Sequence, residues 1–120
     1  MIVDTNILID ALRGKLEAKR FFLSAEQVFS ISVVSISELY AGLRSSERQQ
    51  VQVFLRSFTV HIVDEAIAKL AGEFKNQYSR SHNVGLADAL LAATSQIHRD
   101  QLATLNTKHF PMLLDVIRPY

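Results

Sequence analysis

At 120 residues the chain is long enough to close a core of its own but short for an enzyme that also carries a separate substrate domain, so one unit spanning 1–120 is expected. Thirteen basic residues against twelve acidic leave a net charge of +1, which excludes recognition of nucleic acid by bulk electrostatics alone. The absence of cysteine excludes disulfides and thiolate metal sites, and no apolar run approaches the roughly 20 residues of a membrane span or resembles a secretory signal, so a soluble cytoplasmic protein is expected.

The chain opens on a buried strand, Met1 to Val3, that stops on a carboxylate, Asp4. In an open parallel sheet the carboxyl ends of the strands form the crevice where ligands bind, so Asp4 points at a site. Thr5 or Asn6 is positioned to cap a helix that runs to about Arg13 and ends at Gly14. Arg13, Lys15, Lys19 and Arg20 then face only Glu17; this reads first as the solvated face of a short second helix and second as a phosphate-contacting rim. Gln27 to Ser35, rich in β-branched and aromatic residues, predicts a central strand. The S-I-S-E run from Ser35 to Glu38 predicts a capping box, followed by a helix whose buried stripe is Ile36, Leu39, Tyr40 and Leu43. Glu38 thus has a capping role and, at a strand's carboxyl end, a place near Asp4.

Val51, Phe54, Leu55 and Phe58 mark another helix after the polar stretch 45–50, and the resulting helical hairpin offers a dimer face. Thr59 to Val63 predicts a strand, and Asp64 caps a long helix with Ile67, Leu70, Ala71, Phe74 and Tyr78 on one side. A polar break is expected over Ser79 to Gly85, then a helix from Leu86 to His98 that is apolar on most faces through Thr94. Asp88 lies in its first turn. A helix dipole rewards an acid there by about 0.3–1 kcal/mol, less than a dry unpaired charge costs, so a bound cation explains Asp88 better. Gln101 to Leu105 predicts a strand that brings Thr104 and Asn106 to another carboxyl end, and Asp115 to Arg118 a last edge strand.

Asp4, Glu38, Asp88 and Asn106 therefore stand where strands end or helices begin. Three carboxylates in one crevice repel unless a cation neutralises them, and an all-oxygen donor set selects Mg²⁺ or Mn²⁺ over zinc. Such a centre activates water for in-line attack on a phosphodiester. VDTNILID, SISELYAGLR, LADALLAATS and LATLNTKHF, in that order across the whole chain, resemble the PIN domain, in particular the VapC-type toxins of bacterial toxin–antitoxin pairs. The resemblance implies an α/β fold with a central, mainly parallel sheet flanked by helices, and a metal-dependent endoribonuclease acting on RNA. It implies Asp4, Glu38 and Asp88 as acidic cluster and metal ligands, Thr104 as the accompanying hydroxyl, and Asn106 at a fourth position often held by aspartate. With asparagine there the site is one charge weaker, and one Mg²⁺ or Mn²⁺ rather than two is expected. A homodimer and a small cognate antitoxin whose tail blocks the site are implied as partners. The alternative is a PIN-like module that binds RNA or protein without cutting. A dehalogenase-type phosphatase would need aspartate where Asn6 stands, and a receiver domain a phosphoacceptor aspartate within Ser30 to Ser35. His61, His82, His98 and His109 show no metal-ligand spacing; only His109, after Asn106, falls near the crevice rim.

Overall fold

The computed structural model describes residues 1–120. Five short strands, β1 (Ile2–Val3), β2 (Ser30–Ser32), β3 (Thr59–His61), β4 (Leu102–Ala103) and β5 (Val116–Ile117), pair in parallel throughout, in the order β3-β2-β1-β4-β5. Parallel neighbours need crossovers. These are α1 (Thr5–Leu12), α2 (Leu16–Ser24), α3 (Val33–Gly42), α4 (Arg48–Leu55), α5 (Glu65–His82) and α6 (Leu86–His98), with 3₁₀ turns at Ser45–Glu47 and Thr107–His109. The chain lays β2 and β3 on one side of β1 and then returns through α5 and α6 to lay β4 and β5 on the other. Strand order therefore reverses between β1 and β4, and a crevice opens at their carboxyl ends.

Side-chain alternation along two-residue strands suffices to build both cores. Ile2 and Leu102, paired in register, face Ile67, Ala71 and Phe74 of α5 and Ala89, Ala92 and Ala93 of α6. Val3 and Ala103 face the opposite side, against Ile7 and Leu8 of α1 and Leu39 of α3. The alanines let α6 lie close to both α5 and the sheet, and Leu91, Ala92, Ala93 and Thr94 are buried there. Outside the second core, the rings of Phe22, Phe29, Phe54 and Phe58 stack edge to face at 5.0–6.2 Å, which closes α2 and α4 over the sheet. No helix is long and apolar enough to cross a membrane.

Several boundaries differ from those expected. Asp4, extended at φ −71° and ψ 152°, caps α1 itself by accepting the Thr5 N–H, so neither Thr5 nor Asn6 is the cap. The strand expected over Gln27 to Ser35 is three residues long. It ends at Ser32, whose hydroxyl accepts the Val34 N–H at 3.1 Å and starts α3 early. Ser35 is thereby inside the helix, and the predicted capping box of Ser35 and Glu38 does not form. The polar break shrinks as well: Ser79 to His82 continue α5, because serine and arginine are tolerated in a helix, and the turn comes at Asn83 in the left-handed conformation (φ 52°). The helix expected from Leu86 to His98 has those bounds.

One carboxylate ties the amino ends of β1 and β2 to the last residue of β3. Asp100 meets the chain's amino terminus at 2.7 Å, accepts the Ser30 hydroxyl at 2.6 Å and lies 3.4 Å from His61 Nε2, while His61 stacks on His98 at 4.1 Å. Burial alone would raise the Asp100 carboxyl; the ammonium, Ser30 and His61 outweigh it and hold it below the ordinary 3.8. A lowered folded value means that this contribution to stability is present above 3.8 and is lost as pH falls through the folded value. Asp100→Ala should cost about 1–2 kcal/mol at pH 7. In urea titrations the gap between variant and parent should shrink at pH 3, and a gap independent of pH would remove the charge from the account.

Candidate active site

The crevice between β1 and β4 is built on two side chains. Asp4, at the end of β1 and only 6% exposed, gives one oxygen to the Thr5 N–H at 2.7 Å and the other to the Thr104 hydroxyl at 2.6 Å. Thr104 follows β4 directly and is fully buried; its Oγ1 also accepts the Asn106 N–H at 3.0 Å. Asn6, on the first turn of α1, spans the same gap. Its amide nitrogen lies 3.5 Å from Thr104 Oγ1, and its carbonyl oxygen 3.5 Å from the Leu105 nitrogen.

Glu38 enters from α3. Its Oε1 lies 2.8 Å from Thr5 Oγ1, which is also 3.0 Å from Ser35 Oγ. The Thr5 hydroxyl has one proton, which goes to the carboxylate, and it accepts from Ser35. The early start of α3 at Ser32 is what turns Glu38, one helical turn beyond Ser35, toward the end of β1 rather than back to its own helix terminus. Asp88, in the first turn of α6 and half-buried, places Oδ2 3.2 Å from His109 Nδ1. Asn106 is exposed and its side chain makes no hydrogen bond; only its backbone N–H reaches the network, through Thr104.

Electrostatically, Asp4 is the centre. Burial lifts its carboxyl above the usual 3.8, and the charges of Asp88 and Glu38 push the same way; the hydrogen bonds from Thr104 and Thr5 oppose the rise without cancelling it. Asp88 and Glu38 thus both act on Asp4 across the crevice, although no three ligating side chains converge on a single point. This donor set fits a hard divalent ion that takes one or two carboxylates directly and keeps waters for the rest of its shell, and it does not fit a closed protein cage.

Sequence reasoning missed Thr5, Ser35 and Asn6 as parts of this network. The signal for the first and last was the unbroken polar run Asp4-Thr5-Asn6 after a buried strand; for Ser35 it was the three-residue spacing to Glu38, which puts both on one helix face. The phosphate rim sought in the Arg13–Arg20 stretch is partly neutralised. Lys15 lies 3.5 Å from Asp10 and over the ring of Tyr120.

Comparison with known proteins agrees with this architecture. The family model for the PIN domain matches residues 1–111. The chain is 44% identical over its whole length to ribonuclease VapC10 of Mycobacterium tuberculosis, 92% of which it covers. Ribonuclease VapC19 of the same organism is 34% identical over 99% of this chain and 98% of that protein. Of solved structures, a chain of a toxin–antitoxin complex from Klebsiella pneumoniae superposes with a TM-score of 0.85 at 31% identity, covering 99% of this chain and 97% of the other. FitAcB from Neisseria gonorrhoeae, at 23% identity and a TM-score of 0.80, shares the fold over 98% of this chain and 96% of its own. Since the family match runs from Met1 past the 3₁₀ turn that carries His109, and so takes in every strand end lining the crevice, the chain belongs to the PIN domain family.

Proposed function

We propose that this chain is the ribonuclease toxin of a toxin–antitoxin pair, cutting RNA in the cytoplasm with a divalent cation held by Asp4, Asp88 and Glu38. The observation that carries the reading is Asp4, a carboxylate at the reversal of strand order that is raised first by burial and then by two neighbouring acids, an arrangement that a cation would relieve. The full-length relatives named as ribonucleases support the reaction, and the toxin–antitoxin complex from Klebsiella pneumoniae supports a small protein partner. A second copy of the chain completes a homodimer, for which the helical hairpin of α3 and α4 offers exposed Tyr40 and Val53.

Each residue has a task in this reading. Asp4 and Asp88 bind the ion directly. Glu38, already engaged by Thr5 Oγ1, would complete the ion's shell or bridge to it through water. Thr104 fixes the rotamer of Asp4, and Asn106, with its amide free at the rim, donates to a phosphate oxygen. One bound Mg²⁺ or Mn²⁺ supplies Lewis acidity toward the phosphodiester and lowers the pKa of water.

Purified protein should cut a mixed cellular RNA pool in Mg²⁺ or Mn²⁺ and stop in chelator, and Asp88→Asn should cut on the order of 10²–10³-fold more slowly. Undiminished cutting by the variant, or in chelator, would sink the proposal; a folded, antitoxin-free protein that never cuts would favour a binding module instead.

A second expectation concerns stability. Because the folded Asp4 carboxyl is raised, its ionised form works against the fold at pH 7, so Asp4→Asn should melt higher than the parent without divalent ions, by about 2–5 °C. The gain should vanish below 3.8, where the carboxyl is protonated in folded and unfolded states alike, and narrow at pH 7 when Mg²⁺ is added. A lower melting point for Asp4→Asn at pH 7 without metal would show that its hydrogen bonds outweigh the repulsion.

A further inference from the structure

We propose that the polar cleft beside the acid cluster is a phosphate subsite for single-stranded RNA, in which Arg80 and Lys108 hold the backbone next to the scissile bond, a role that rests on the ribonuclease reading. The cleft, of about 620 Å³, lies between the end of α5 and the 3₁₀ turn Thr107–His109, and its walls include Arg80, His82, Asn83, Thr107, Lys108 and His109. It contains two fixed positive charges and no carboxylate, in a chain whose whole net charge is +1. Both cations are exposed, and neither takes part in an ion pair, unlike Lys15 with Asp10, Arg44 with Glu47 or Lys69 with Glu65.

A helix dipole favours basic residues in the last turn, which accounts for Arg80 and His82 on α5. It does not account for Lys108, which arrives on a different element after α6 and β4. The two cations come together because the fold returns the chain to the crevice. His109 joins the two places: its ring lines the cleft, and its Nδ1 lies 3.2 Å from Asp88 Oδ2. The cleft thus adjoins the acid cluster closely enough to take the phosphates next to a scissile phosphate at Asp88.

The lining also separates RNA from a protein occupant. Protein partners draw affinity from aromatic and aliphatic anchors in apolar pockets, and this cleft is lined by no hydrocarbon side chain other than the ring of Pro111. Phosphate and sugar contacts need guanidinium, ammonium, amide and hydroxyl groups, which Arg80, Lys108, Asn83 and Thr107 provide. Such contacts position a strand without reading its bases, so the subsite holds any sequence.

The test measures binding apart from cleavage, with Asp88→Asn protein and a fluorescein-labelled RNA of about 12 nucleotides, a length within a typical single-strand site. Fluorescence anisotropy across a salt series gives the slope of log Kd against log salt. Arg80→Ala and Lys108→Ala should each make that slope shallower by about 0.7, the value for one phosphate contact on a single strand. Lys69→Ala, whose charge is matched by Glu65, should leave the slope in place. In otherwise unaltered protein the two cleft variants should lose cleavage mainly through a higher KM. Unchanged slopes in a protein that cuts RNA would overturn the subsite and leave the ribonuclease reading intact. An equal fall in Lys69→Ala, or retained RNA slopes with lost binding to a cognate antitoxin, would overturn it too. Shifted slopes without metal-dependent cutting would keep the cleft as a place that binds RNA but overturn both the ribonuclease reading and the cleft's role beside a scissile bond.

Discussion

The hydrogen bond from Thr104 to Asp4, 2.6 Å long and buried, joins the two strand ends between which the order of the sheet reverses. It holds a carboxylate where burial alone would favour its neutral form, and it does so with the side chain that follows β4. β1 and β4 contribute two residues each to the sheet, and at these ends the other tie between them is the backbone bond from the Asp4 N–H to the Ala103 carbonyl at 2.9 Å. Asn6, Thr5, Ser35 and the backbone of Asn106 all arrange themselves around this bond. Without it Asp4 would have one donor, its own helix N–H, and the crevice would lose the member that faces every other acid.

The two ends of the sheet handle charge in opposite ways. At the amino ends Asp100 is matched by an ammonium and a hydroxyl, and its carboxyl is lowered. At the carboxyl ends Asp4 is raised, and Asp88 and Glu38 add like charge. The first arrangement stabilises the fold; the second works against it and persists because α5, α6 and the sheet fix it from behind with a dry, alanine-rich interface. Strain of this kind concentrates at sites that bind something, where the ligand supplies the missing interaction.

Much of this was legible in the chain. β1 ending on Asp4 and α6 with its polar first turn could be placed because an apolar period and a single acid are local signals. The start of α3 was not, since Ser32 and Ser35 are equally good caps and the choice between them depends on how far β2 pairs with β3, which ends at Ser32 and His61. That three-residue shift decided the partner of Glu38. The reach of α5 through His82 was hidden for a related reason: Ser79, Arg80 and Ser81 permit either a helix or a loop, and the helix runs on through them, past the half-buried Tyr78, to the left-handed turn at Asn83. Arg80, and with it the wall of the basic cleft, depended on that choice.

Charge balance connects the asparagine at 106 with the cleft. On the proposed reading, three carboxylates against one divalent ion leave one negative charge, which would repel an RNA phosphate at the point of attack. A fourth carboxylate at position 106 would double that excess or require a second ion. Asn106 keeps the excess at one, and Arg80 with Lys108 reverses its sign over the adjoining surface. Because the near-neutral chain has no general field to draw an anionic strand in, the attraction has to be local. It is placed on the one wall that shares a histidine with the acids, so that capture of the strand and delivery of its phosphate to Asp88 are parts of one contact surface.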